Sequence, residues 1–148
     1  MRFYTHLVAG LLVAIVLTEL FSFPNTLVAV LLVLLGSILP DIDEQHSRLG
    51  KLFPLIPKLF THRGFFHSVF LATAFTILLS LFAPSYALAF AAGFVTHLLL
   101  DAMTPAGVKP FWPSQVRLRG FIKTGGVLEG ILFILLVGVV VWMLVSVG

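Results

Sequence analysis

The sequence predicts an all-α integral membrane protein, a bundle of about five transmembrane helices with the N-terminus cytoplasmic and the C-terminus outside. Three observations carry that expectation. Apolar residues make up 59% of the 148 positions, charged residues only 10%, and the mean hydropathy is +1.13; a soluble domain carries about 25% charged residues. The apolar residues are gathered in blocks bounded by proline, glycine and short polar stretches. The nine lysines and arginines fall only before the first block (Arg2) and in alternate connections between the blocks. The length fits a single membrane-embedded domain over 1–148. No cysteine is present, which removes disulfides, thiolate metal sites and cysteine nucleophiles.

The blocks follow in order. The first, roughly residues 4–22, closes at Pro24-Asn25. Arg2 and the apolar stretch behind it also suit a secretory signal peptide, but Thr18, Glu19, Phe21 and Phe23 make a poor small-residue cleavage site, so it reads as a retained span. The second, roughly 26–39, closes at Pro40. At about 1.5 Å per residue it covers only about 20 Å, short of a hydrocarbon core about 30 Å thick. Pro40-Asp41 is therefore expected below the membrane surface or in a local funnel. The third block, roughly 65–83, closes at Pro84-Ser85; the fourth, roughly 86–103, closes at Pro105 and Gly107. The fifth, roughly 127–147, is preceded by Gly125-Gly126.

The basic residues set the orientation. Arg2 precedes span one; Arg48, Lys51, Lys58 and Arg63 join spans two and three; Lys109, Arg117, Arg119 and Lys123 join spans four and five. By the positive-inside rule this side is cytoplasmic. The pI near 9.7 is thus used for topology, and no nucleic-acid partner is expected.

Nearly every candidate ligand falls on that same side, which counting Lys and Arg did not require. His6 opens span one, Asp41 and Asp43 close span two, and His62 and His67 open span three in "THRGFFHS". His97 and Asp101 close span four in "THLLLD", and Glu129 lies just inside span five; Glu19 is the outlier near the opposite side. His97 and Asp101 are four apart and share a helical face. His62 and His67 would diverge on a continuous helix, but Gly64 permits a turn that reunites them, with His67 in the first helical turn. Asp41 and Asp43, two apart after a proline, would share a face in an extended segment, where they would clamp one cation or bridge two. Singly, each has a plain reading: an interfacial histidine for His6, a helix-ending turn for the aspartates. Together, His62, His67 and His97 with the three aspartates at one end of a small bundle point to a metal site, because ionisable residues in spans are costly. Glu44 and His46 read as solvated loop residues, and Ser68 as a helix-start hydrogen-bonder.

Imidazole with carboxylate suits Zn²⁺ first, or Mn²⁺ or Fe²⁺. A site with one or two ions, the latter bridged by Asp41 or Asp43, lowers the pKa of a bound water and clamps a phosphoryl group. Glu129 or one of the paired aspartates would act as general base. Arg117 and Arg119, with Lys109 and Lys123, suit either a substrate phosphate or topology and anionic lipid. Trp112 suits the headgroup level. Neither His-Glu-x-x-His nor Gly-x-Ser-x-Gly is present.

His6, "GSILPDID", "HRGFFHS", "HLLLD", "TPAGVKPFWP" and "GGVLEG", in that order over almost the whole chain, resemble the YdjM-like family of prokaryotic inner-membrane proteins. That family is grouped with membrane-bound metal-dependent hydrolases and held to be distantly akin to zinc-dependent phospholipase C. The resemblance implies a divalent-cation hydrolase of the inner membrane acting on a phosphoester, with a membrane lipid as candidate substrate. Position by position it implies His6, Asp41, His62, His67, His97 and Asp101 as ligands, and Asp43 as ligand or base. The His97-x-x-x-Asp101 spacing is similar to a ligand pair of those phospholipases. Gly125 stands where a histidine four before Glu129 would complete their pattern, so one or two metals are expected rather than three. The alternative function is a divalent-metal transporter or sensor using the same ligands. Polar residues that end at one side of the membrane favour the enzyme. A further alternative is a structural protein whose short helices a metal staples together.

Overall fold

In the computed structural model, which describes residues 1–147, the chain is all-helical; Gly148, the end of the expected single domain, lies outside the described residues. Helix α1 spans Phe3–Leu20 and α2 spans Thr26–Ile38, with the Asn25 side chain accepting the Val28 N–H at 3.2 Å as its N-cap. Pro40 then tightens the chain into a 3₁₀ turn, Leu39–Asp43. Two short helices follow in the connection, α3 (Arg48–Leu52) and α4 (Ile56–Leu59). Helix α5 covers Val69–Phe82, α6 covers Pro84–Ala102 with proline in its first turn, and α7 covers Val127–Val147.

Four runs are long and apolar enough to cross a bilayer: α1, α2 with its 3₁₀ extension (Thr26–Asp43), α6 and α7. The expected third span is shorter than read. Residues Phe65–His67 form a second 3₁₀ turn, and α5 begins only after Ser68, whose hydroxyl caps Leu71 N. The Val69 N–H is taken by Pro110 O at 2.8 Å, which ties that start to the loop after α6. At 14 residues, α5 reaches about 21 Å and is the short apolar helix beside four long ones. His67 correspondingly lies in the turn before the helix, not in its first turn.

Helix α2 packs against α6 and α1; α5 packs on α6, and α7 on α1. The close α2–α6 approach comes from small residues placed reciprocally. A Cβ at Gly93 would fall 2.0 Å from Val33 O, and one at Gly36 would fall 2.4 Å from Phe90 O. The core is small side chains on one side (Ala14, Ala29, Val33, Ala89) and Phe90, Phe94 and Leu98 on the other. Most of α7's apolar surface is exposed, as for a helix facing lipid. The α6–α7 loop folds back over the end of the bundle: Val108 and Leu118 pair as a β-bridge, and Gly120 N and Ile122 N donate to Thr104 O and Met103 O. This end of the bundle gathers the polar side chains.

Candidate metal centre

The centre is built from four helix ends. His97 enters from α6, which the Gly36/Gly93 contact presses onto α2. Its Nδ1 lies 2.7 Å from Ser37 O. A carbonyl only accepts, so Nδ1 carries the proton and Nε2 presents a lone pair. His67 is fixed in the same way: Nδ1 donates to Asp43 Oδ2 at 3.3 Å, leaving its Nε2 free. The two free Nε2 atoms face each other at 3.2 Å. Two lone pairs at that distance repel unless a cation lies between them.

Carboxylates complete the set. Asp41 Oδ1 is 3.7 Å from His97 Nε2 and 3.9 Å from His67 Nε2, and Asp101 Oδ2 is 3.7 Å from His67 Nε2. Ligands at 2.0–2.2 Å around a tetrahedral ion stand about 3.3–3.6 Å apart, and the separations of each carboxylate from its histidines lie within a few tenths of an ångström of that spacing. His6 stacks on His97 with ring centroids 3.9 Å apart, its Nε2 3.3 Å from Asp101 Oδ1. The N-terminal amine of Met1 also bonds Asp101. Both His6 ring nitrogens and Asp101 Oδ2 are buried without a hydrogen-bond partner. Arg63 Nη2 is 3.0 Å from that oxygen, but out of line for a hydrogen bond. Buried polar atoms without partners are costly, and a metal ion satisfies those that accept, Asp101 Oδ2 and the unprotonated nitrogen of His6. Three overlapping triads can hold an ion: His6–Asp41–His97, His67–His97–Asp101 and Asp43–His62–His67. His97 joins the first two and His67 the last two.

The paired aspartates do not share a face. They lie in a 3₁₀ turn, not an extended segment, and at about three residues per turn positions two apart point about 120° from each other. Asp41 therefore meets His67 and His97, whereas Asp43 turns toward the connection before α5. There Asp43 accepts from His62 Nδ1 at 2.7 Å, His67 Nδ1 and Arg63 N. With its oxygens occupied by donors, Asp43 is placed behind His67 as an orienting carboxylate. His62 and His67 do come together, ring centroids 5.3 Å apart, across the turn at Gly64. Burial pulls the His62 pKa down, but its bond to Asp43 and the charges of Asp43 and Glu44 outweigh this and hold it above the ordinary histidine range. Glu44, expected in solvent, lies 3.0 Å from His62 Nε2; His46 is exposed as expected.

Two sets of expected site residues stand apart from the cluster. Glu129 is buried but stands apart from the cluster. Its Oε1 accepts from Arg2 N (2.6 Å) and Thr5 Oγ1 (2.9 Å), and its Oε2 from Gly125 N (2.5 Å). A carboxylate so engaged clamps the start of α1 to the start of α7, with three donors already on its two oxygens. Arg117 donates to Ala106 O at 2.8 Å and Arg119 is exposed on the α6–α7 loop, because the β-bridge turns that strand of loop outward. Neither reaches the cluster. Trp112 packs edge-on against Phe65 at 5.3 Å, bracing the turn that carries His67.

Residues that the sequence did not single out hold key places. Arg63 was spent on topology, yet it sits between the two histidines of "HRGFFH" and reaches Asp101. Thr104 is fully buried; it donates to Asp101 O at 2.7 Å and accepts from Arg63 Nη1 at 3.0 Å. The position of Thr104, three residues after a candidate ligand and just before Pro105, was the available signal. Above the cluster opens a cavity of about 320 Å³ lined in part by Asp41, Glu44, Arg48, His62 and Arg63. Arg48 bonds Tyr4 OH and lies over the Phe3 and Tyr4 rings at 4.8 and 5.0 Å.

Comparison with known proteins agrees with this architecture. YvsG of Bacillus subtilis (strain 168), named as an uncharacterized protein, is 30% identical over 133 residues, covering 84% of this chain and 82% of YvsG. The inner membrane protein YdjM of Escherichia coli (strain K12) is 38% identical over 97 residues, covering 58% of this chain and 50% of that protein. Its Shigella flexneri counterpart matches to the same extent. The chain thus aligns with about half the length of the two enteric relatives. No solved structure matches. The YdjM inner membrane protein family matches residues 1–147, and with its apolar helices and ordered polar motifs the chain belongs to that family of integral inner membrane proteins.

Proposed function

We propose that this protein is a membrane-embedded metal-dependent hydrolase that cleaves a phosphoester, with a lipid headgroup as candidate substrate. The observation that carries the reading is the approach of the Asp41 and Asp101 carboxylates to the facing Nε2 atoms of His67 and His97, in overlapping triads that share His97. A divalent cation held there, zinc by the donor set, supplies Lewis acidity and an acidified water. Ser37 and Asp43 fix the tautomers of His97 and His67, which keeps both nitrogens aimed inward. Asp41 is the cluster carboxylate that borders the open cavity, 14% exposed, and it accepts the proton of the attacking water. The water oxygen bonds phosphorus, the ester P–O bond breaks, and the alcohol departs with the proton that Asp41 took from the water. The nine Lys and Arg precede the first span or lie in the connections that carry the cluster residues, which supports a site at the cytoplasmic leaflet.

The test is turnover by purified, metal-loaded protein on a phospholipid panel and on a soluble phosphomonoester, reading phosphate and diacylglycerol. Metal-dependent release that disappears in Asp41→Ala supports the reading. Bound metal with no hydrolysis, but with metal uptake into liposomes, would replace it with the transporter.

A further inference from the structure

We propose that Arg63 is the residue that receives the substrate's phosphoryl oxyanion, a reading that rests on the hydrolase proposed above. Three observations converge on it. First, its guanidinium is built into the cluster, with Nε 3.2 Å from His62 Nε2 and Nη2 3.0 Å from Asp101 Oδ2. Second, Nη1 is anchored from behind by Thr104 Oγ1 (3.0 Å) and Gly107 O (3.2 Å). The anchoring turns the Nε–Nη2 edge, the edge suited to bidentate oxyanion contact, toward the metal triads. Third, Arg63 holds φ at 62°, the left-handed region that non-glycine residues rarely adopt. Asp43 stabilises this backbone by accepting the Arg63 N–H at 3.2 Å. Strain of this kind is kept where the side chain must be aimed, since glycine would fill the backbone position without cost.

The surroundings give the arginine a substrate-facing role as well as a structural one. Arg63 is 12% exposed and lines the cavity of about 320 Å³ that also exposes Asp41. Once a cation neutralises Asp101, Nη2 loses the charge it now faces, and an arriving oxyanion takes that edge by displacing His62 Nε2 from Nε. Arg117 and Arg119, the pair expected from sequence to bind phosphate, line no part of that cavity. The phosphoryl group itself is the recognised unit. Whether it arrives on a lipid or on a soluble ester is decided by the assay.

The experiment compares wild type, Arg63→Lys, Arg63→Gln and Arg63→Gly as full-length, detergent-solubilised protein. Metal content is measured first, then inorganic phosphate binding by calorimetry, then KM and kcat on p-nitrophenyl phosphate and on a short-chain glycerophospholipid. Retained metal with phosphate affinity about ten- to a hundred-fold weaker in Arg63→Gln and Arg63→Gly, partly rescued by Arg63→Lys, is the expected result. KM rises more than kcat falls on whichever ester is the substrate, which identifies the source of the phosphoryl group. Arg63→Gly retains a thermal midpoint at or above that of Arg63→Gln, because it relieves the backbone. Unchanged phosphate affinity with metal in place overturns the assignment while leaving the hydrolase standing. Loss of metal from the Arg63 variants also overturns it, making the arginine a prop of the cluster. A wild type that binds no metal overturns the hydrolase reading itself.

Discussion

Replacing Asp43 by Asn separates the two carboxylates of the Pro-Asp-Ile-Asp turn. The substitution keeps volume and shape but removes the charge, and it places an amide NH₂ against one of three donors: His62 Nδ1 at 2.7 Å, His67 Nδ1 at 3.3 Å and Arg63 N at 3.2 Å. His67 then loses the partner that fixes its tautomer, while every atom that converges on the metal position stays. Loss of such an outer partner typically weakens metal binding about 10- to 100-fold, or about 1.4–2.8 kcal/mol. Asp41→Asn alters a group at 3.7 and 3.9 Å from both Nε2 atoms and should cost more. The assay is competition with a chromophoric chelator on detergent-solubilised protein, for wild type and both variants. An Asp43→Asn loss equal to or larger than that of Asp41→Asn would refute the assignment, because Asp43 would then be a ligand. So would no loss at all.

Further outcomes follow from the same geometry. Glu129→Gln leaves Gly125 N facing an amide donor and lowers stability by about 1–3 kcal/mol, read as the thermal midpoint, with turnover per bound metal unchanged; a collapse of turnover at full metal content would restore Glu129 as a base. Gly93→Ala drives a Cβ to within 2.0 Å of Val33 O, destabilises by about 1–3 kcal/mol, and weakens metal binding as the nearby Ser37 carbonyl shifts; a wild-type midpoint would contradict the tight α2–α6 packing. In chelator-treated protein, protonated His62 pairs with Asp43 and Glu44, and its pKa is raised. That stabilisation is complete below about pH 6.5, the unfolded value, and is lost as pH rises through the raised folded value. The thermal midpoint should fall across that window in wild type and stay flat in His62→Asn.

Much of this was legible in the sequence, for identifiable reasons. Apolar blocks and proline boundaries place α1, α2, α6 and α7 because a bilayer leaves the backbone no other option. The shared side of His6, Asp41, His67, His97 and Asp101 follows from alternation of spans, and the structure brings all of them together. Local geometry was less legible. The spacing of Asp41 and Asp43 carries opposite meanings in extended and 3₁₀ backbone, and only the turn decides. Glu129 looked like a ligand because charge in a span implies function, yet backbone N–H groups at two helix starts need a carboxylate just as much. Arg63 was counted once, for topology, although a side chain about six bonds long beside a glycine can serve a site as well. Arg117 and Arg119 depend on how a loop of more than twenty residues folds, which no periodicity specifies.

That the buried His/Asp cluster holds a metal ion is open to direct measurement. Elemental analysis of the purified protein, beside His97→Ala and Asp41→Ala controls that remain folded, tests it most directly. The account predicts one or two equivalents of a divalent transition metal in wild type and loss in both variants; wild-type protein without metal, even after reconstitution with zinc, manganese or iron, would contradict it.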